Sequence, residues 1–153
     1  MPVASTTRGK TIGYRLLRLG TVPRRRRPEL EAERIRVLDE GIPVTVTLRR
    51  YRARGRRIRW RRQRLSGAIV LTDRRIVAFA WWGRLFDLPL DTLPMTGVDA
   101  SLDRRGRLSV NIDVSSLGTG RSGRIACAFR TERAAALLAA LVGNRADDEK
   151  LSL

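Results

Sequence analysis

Apolar and polar residues alternate with a period of two through most of the middle of the chain, beginning after Gly41. Val44, Val46 and Leu48 interleave with Thr45, Thr47 and Arg49, the pattern of a strand with one buried and one wet face. Residues 56–64 alternate as well, with Ile58 and Trp60 assigned to one face and Arg57, Arg59 and Arg61 to the other, and Gly55 marks the turn before them. From Gly67 the apolar run Ala68–Leu71 breaks at Thr72, Asp73 and Arg74 and resumes at Ile76–Phe79, a tight hairpin between two well-buried strands. Gly83 separates it from Leu85, Leu88 and Leu90, where Pro89 signals a sheet edge or a strand end. A second hairpin follows, with Val98, Ala100 and Leu102 before the turn Asp103–Gly106 and Leu108, Val110, Ile112 and Val114 after it. A Ser- and Gly-rich stretch over 115–123, expected to be a mobile loop, leads into a last strand through Ile125, Cys127 and Phe129.

The flanks follow other rules. Pro28 suits the first turn of a helix, Glu29, Glu31 and Glu33 suit the positive end of its dipole, and Gly41 can close it. A leading helix over 28–40 is expected, with a strand over Ile35–Leu38 as the alternative because Leu30, Ile35 and Leu38 form an imperfect stripe. Thr131 can cap a C-terminal helix that ends at Gly143, whose Leu137, Leu138 and Leu141 share one face and should dock on the sheet as a plug. Residues 1–27 are expected to be a flexible basic tail, 28–143 the single domain, and 144–153, with Asp147, Asp148 and Glu149, a polar tail. The fold class is therefore mainly β: about seven antiparallel strands with a C-terminal α-helix.

Three passages carry a family resemblance: Gly67-Ala68-Ile69-Val70-Leu71-Thr72-Asp73-Arg74-Arg75-Ile76, then Leu85-Phe86-Asp87-Leu88-Pro89-Leu90, then Phe129-Arg130-Thr131-Glu132. Over Gly41–Gly143 the chain resembles a bacterial pleckstrin-homology-like (PH-like) domain, close to the GRAM-like variety. The resemblance implies two nearly orthogonal antiparallel sheets in a partly open barrel, capped at one end by the C-terminal helix. It also implies binding rather than catalysis, since the family includes lipid-binding and protein-binding members.

Charge narrows the class of partner. The chain has 32 basic and 15 acidic residues in 153, a net charge of +17, which draws it to polyanions: nucleic acid, anionic lipid headgroups or an acidic protein. Only Lys10 and Lys150 are lysines; codon bias in a GC-rich genome and selection for guanidinium chemistry are the two explanations of arginine over lysine, and either leaves the charge in place. The absence of histidine excludes imidazole catalysis and Cys/His zinc sites, and a single cysteine, Cys127, excludes an internal disulfide and suits a reducing cytoplasm. No apolar run approaches the roughly 20 residues that cross a bilayer, so membrane contact is expected to be peripheral, at the inner face of the cell membrane. No cofactor, metal or catalytic residue is expected: Asp73, Asp87, Asp91, Asp99 and Asp103 read as turn formers, and Gly118, Gly120 and Gly123 lack the Lys-Ser/Thr of a phosphate loop.

The densest candidate site lies in the strand pair of residues 49–64. Arg50, Arg52, Arg54, Arg57, Arg59, Arg61 and Arg62 surround Tyr51, Ile58 and Trp60 and form a ridge of forked donors suited to phosphate oxygens. A solvated outer face is the plain alternative. Of Trp81 and Trp82 one ring is expected to face the core and the other, Trp82, to face out, either covering the barrel beneath an arginine or meeting a bilayer interface or a base. Arg24, Arg25, Arg26 and Arg27, with Tyr14, Leu16, Leu17 and Leu19 upstream, can hold a tail weakly on an anionic membrane at about 1 kcal/mol per basic residue. The function expected is a non-catalytic binding or adaptor module that docks on anionic lipid headgroups or an acidic protein. The alternative is nucleic-acid binding through the arginine-rich strand pair, against which the Ala/Leu C-terminal helix offers no recognition face.

Overall fold

The computed structural model describes residues 20–93, 96–117 and 120–151, with the backbone alone for 143–151. Seven strands run in chain order: β1 (Ile35–Ala53), β2 (Arg56–Thr72), β3 (Arg75–Ala80), β4 (Gly83–Pro89), β5 (Val98–Leu102), β6 (Leu108–Asp113) and β7 (Ser122–Phe129). They form one sheet of order β4-β3-β2-β1-β7-β6-β5 in which every neighbouring pair is antiparallel. The sheet curls into a half-barrel. Helix α1 (Arg27–Ala32) precedes it and helix α2 (Ala134–Leu151) follows it.

The main core fills the curl. Val44, Val46, Ile69, Leu71, Ile76, Phe86, Leu88, Leu108, Val110, Ile112, Cys127 and Phe129 point into it, and the Phe86 and Phe129 rings meet edge to face at 5.9 Å. Ala134, Leu137 and Leu141 of α2 close one end, with Leu138 half-buried beside them. Thr131 precedes that helix in a short hydroxyl turn, accepting the Arg133 N–H at 3.1 Å and donating to Asp39. The helix continues past Gly143 to Leu151 instead of ending there. No helix among the described residues is long and apolar enough to cross a membrane.

A second, smaller core explains the continuous apolar runs Ala68–Leu71 at the end of β2 and Ile76–Ala80 of β3. Ala68, Val70, Val77 and Phe79 face away from the main core and pack against Val22 and Leu30, so these two runs are covered on both sides. Of the expected tail over 1–27, only residues 20–27 are described, and there Val22, 3% exposed, packs into the fold. The leading helix expected over 28–40 is shorter. Helix α1 stops at Ala32, Arg34 takes a φ of +68°, and residues 35–40 pair with β2. Ladder pairing with Val37 in the main core outweighs a short helix whose stripe is imperfect. Gly41 closes no helix; it has a φ of +67° at a bulge between Glu40 and Ile42, and its N–H donates to the Gly20 carbonyl at 3.0 Å.

The remaining differences are local. Val114–Leu117 form a turn of 3-10 helix where a mobile loop was expected, and residues 118–119 lie outside the described residues, as do 1–19 with Tyr14, Leu16, Leu17 and Leu19. β4 is an edge strand ending at Pro89, and the Asp103 carboxylate shapes the β5–β6 turn by accepting the N–H groups of Arg105 and Arg107, both at 2.9 Å.

Candidate functional site

β1 and β2 outrun their neighbours. β3 pairs with β2 only over Gly67–Leu71, and β7 follows β1 no further than Arg52, so the hairpin from about Arg49 to Arg64 projects from the half-barrel. Its tip is a two-residue turn in which Arg54 and Gly55 both have positive φ, 45° and 75°, the backbone that matches the twist of a tight hairpin.

This arm holds ten arginines, all exposed: the seven expected to bind anions together with Arg49, Arg56 and Arg64. No acidic residue occurs from Gly41 to Thr72. The carboxylates engaged in ion pairs are spent elsewhere: Glu29, Glu33 and Asp87 on Arg75, Glu40 on Arg27, Asp73 on Arg34 and Arg36, and Asp103 on Arg107. Among the described residues none of the ten forms an ion pair. The ladder adds repulsion, since Arg52 stands opposite Arg57 and Arg49 opposite Arg124, like-charge pairs of a kind that destabilises sheets.

One side of the arm borders a groove of about 410 Å³ at the mouth of the half-barrel. Tyr51, Ile58, Trp81, Trp82, Leu85 and Ile125 give it an apolar lining, and Arg56, Arg61, Arg84 and Arg121 add charge. Leu48 and Tyr51 both reach it although three positions apart. The break in alternation is a bulge of β1 against β7, where Arg50 has a φ of +49° and Gly123 approaches so closely that a Cβ there would sit 2.5 Å from the Arg50 carbonyl oxygen.

That bulge corrects the expected division of faces. Ile58 shares the groove with Arg56 and Arg61, whereas Trp60 lies outside it, cross-strand from Arg49 and 60% exposed. The Gln63 side-chain oxygen, in the amide orientation that satisfies both groups, accepts from the Arg61 guanidinium at 2.8 and 3.2 Å. The tryptophan pair is corrected too. Both rings are out, Trp81 at 64% and Trp82 at 52% exposure, because both residues occupy the turn between β3 and β4, where strand alternation does not apply. All three tryptophans of the chain are thus exposed at or beside the arm.

The basic block before α1 divides. Arg24 and Arg25 are exposed, Arg26 lies 3.7 Å from Glu29, and Arg27 pairs with Glu40, which also accepts the Val22 N–H at 3.2 Å. Arg27 therefore anchors the leading segment to β1 and is not part of a free tail.

One ionic centre has no local signal in the sequence. The Arg75 Nε donates to both Glu33 oxygens at 2.9 Å, one terminal nitrogen donates to Asp87 at 3.1 Å and the other to Glu29 at 2.8 Å. Thr72 donates to Glu33 at 3.0 Å. The Arg75 hydrogen bonds hold the Glu33 carboxyl below the ordinary glutamate range, and the same partners raise Arg75 further. Backbone N–H donation from Arg107 lowers Asp103, the Ser115 hydroxyl lowers Asp113, and burial pushes the Cys127 thiol up to about 12. Among the described residues no group of three or more cysteines and carboxylates could hold a metal ion.

No protein-family model, no curated protein and no solved structure matches the chain.

Proposed function

We propose that the chain is a non-catalytic binding module with a PH-like half-barrel, and that its arginine arm docks on a polyanionic surface, the anionic leaflet of a membrane. The single observation that carries this reading is the arm itself: ten exposed arginines on one projecting hairpin, without an ionic partner among the described residues. Unpaired guanidinium groups held against one another cost stability in the free protein, and a layer of phosphates relieves that cost. Trp60 beside Arg49 favours a bilayer over a purely ionic partner, because an exposed indole suits the boundary between headgroups and acyl chains. The half-barrel and α2 support the PH-like assignment through strand number, strand order and the closing helix.

The test is co-sedimentation with vesicles of phosphatidylglycerol and phosphatidylcholine against vesicles of phosphatidylcholine alone. Binding should appear only with the anionic lipid and weaken as salt rises. Equal binding to both vesicle types, or none to either, contradicts the reading. Tighter binding to duplex DNA at physiological salt, with log affinity falling about 0.9 per log unit of salt for each phosphate contacted, transfers the arm to nucleic acid.

A further inference from the structure

β2 has a bare edge. Beyond Gly67, where β3 turns away through Trp81 and Trp82, its residues Arg56–Leu65 pair with β1 on one side and with no strand among the described residues on the other. Ten residues of strand span roughly 33 Å, and their outward backbone donors and acceptors lie in line with β3. The groove runs beside this edge, with Ile58, Trp81 and Leu85 in its lining and Arg56, Arg61 and Arg84 around them.

We infer that this edge is a strand-addition site for an extended acidic peptide in which carboxylate and apolar residues alternate. Each element of the ligand follows from one element of the site. The bare ladder asks for an extended backbone, which adds as an eighth strand continuing the line of β3. A strand presents alternate side chains to opposite faces, so one set enters the apolar groove while the other remains outside it. The charge selects the sequence: six of the ten edge residues are arginine, with no acid among them. Two copies of this edge would set arginine against arginine, which guards it against self-pairing and leaves an acidic strand as the complementary partner. Arg50, Arg52, Arg54, Arg57, Arg59 and Arg62 do not line the groove and remain available to the membrane, so the module would bring an acidic segment to an anionic surface.

The experiment titrates full-length protein into fluorescein-labelled octapeptides and reads anisotropy at physiological salt. One peptide alternates Glu with Val and Phe, and a second has the same composition in an acidic and an apolar block. Two further copies of the first are N-methylated on one or the other alternate set of backbone nitrogens. The alternating peptide should bind at least tenfold more tightly than the block peptide, and only one of the two methylated sets should abolish binding. Equal affinity for the alternating and block peptides, or equal effects of the two methylated sets, overturns strand addition and reduces the interaction to charge. Failure to bind any acidic peptide by a protein that still sediments with anionic vesicles overturns the peptide site alone; failure with both removes the docking function as well.

Discussion

Among the described residues Arg34, Arg50 and Arg54 are the non-glycine residues with positive φ, and each sits where the chain changes direction: after α1, at the β1 bulge and at the tip of the arm. A side chain in the left-handed region costs about 1–2 kcal/mol, so the tip bears an arginine where asparagine or glycine would be more stable. Replacing Arg54 with Asn should therefore stabilise the protein by about 1 kcal/mol, seen as a higher urea midpoint with an unchanged slope. An unchanged or lower midpoint would show that the Arg54 side chain supports the turn. A stabilising change at this tip would mean that the arginine serves something other than folding.

At the scale of elements, Arg75 joins α1 to β3 and β4 through Glu29, Glu33 and Asp87. Glu33 sits below its ordinary value in the folded protein, so its ionised form contributes stability that is fully present above the unfolded value, roughly pH 4.3, and is lost as pH falls through the lowered folded value. Thermal melting of the wild type should fall more steeply with acid below about pH 4.3 than melting of Glu33→Gln, in which this proton is absent. Parallel acid limbs would remove Glu33 from the account of acid stability.

The same elements show what a sequence makes legible. Strand number, both hairpins and the docking face of α2 follow from short-range periodicity, because side chains of β-strands and helices repeat every two or 3.6 residues. The Arg75–Glu33 contact joins residues 42 positions apart and leaves no local trace. Acidic residues after a proline favour a helix start but do not mark its end, so helix and strand both stay open over Ile35–Leu38, and the pairing that decides for strand over residues 35–40 is supplied by β2 from far along the chain. Both tryptophans lie outside the core because they occupy turn positions, where the alternation that would send one ring inward does not hold. The arginine arm was legible as a run; its projection, its bare edge and the groove beside it depend on where β3 and β7 stop pairing.

For the whole molecule, the question is whether +17 acts as a diffuse charge or through its placement. The acids that neutralise arginine cluster around Arg75, Arg27, Arg34, Arg36 and Arg107, leaving the arm uncompensated among the described residues. A diffuse field would make every exposed arginine equivalent at long range, whereas contact docking weights those that reach the surface within a Debye length of about 8 Å at physiological salt.

The direct measurement compares two triple variants that lower the net charge equally: Arg57, Arg59 and Arg62 to Glu on the arm, and Arg104, Arg105 and Arg133 to Glu at exposed positions away from it. In co-sedimentation with phosphatidylglycerol vesicles, the arm variant should lose at least tenfold in affinity while the distant variant stays within about threefold of wild type, both with wild-type circular dichroism. Equal losses in the two variants would contradict the claim that the arm is the docking surface.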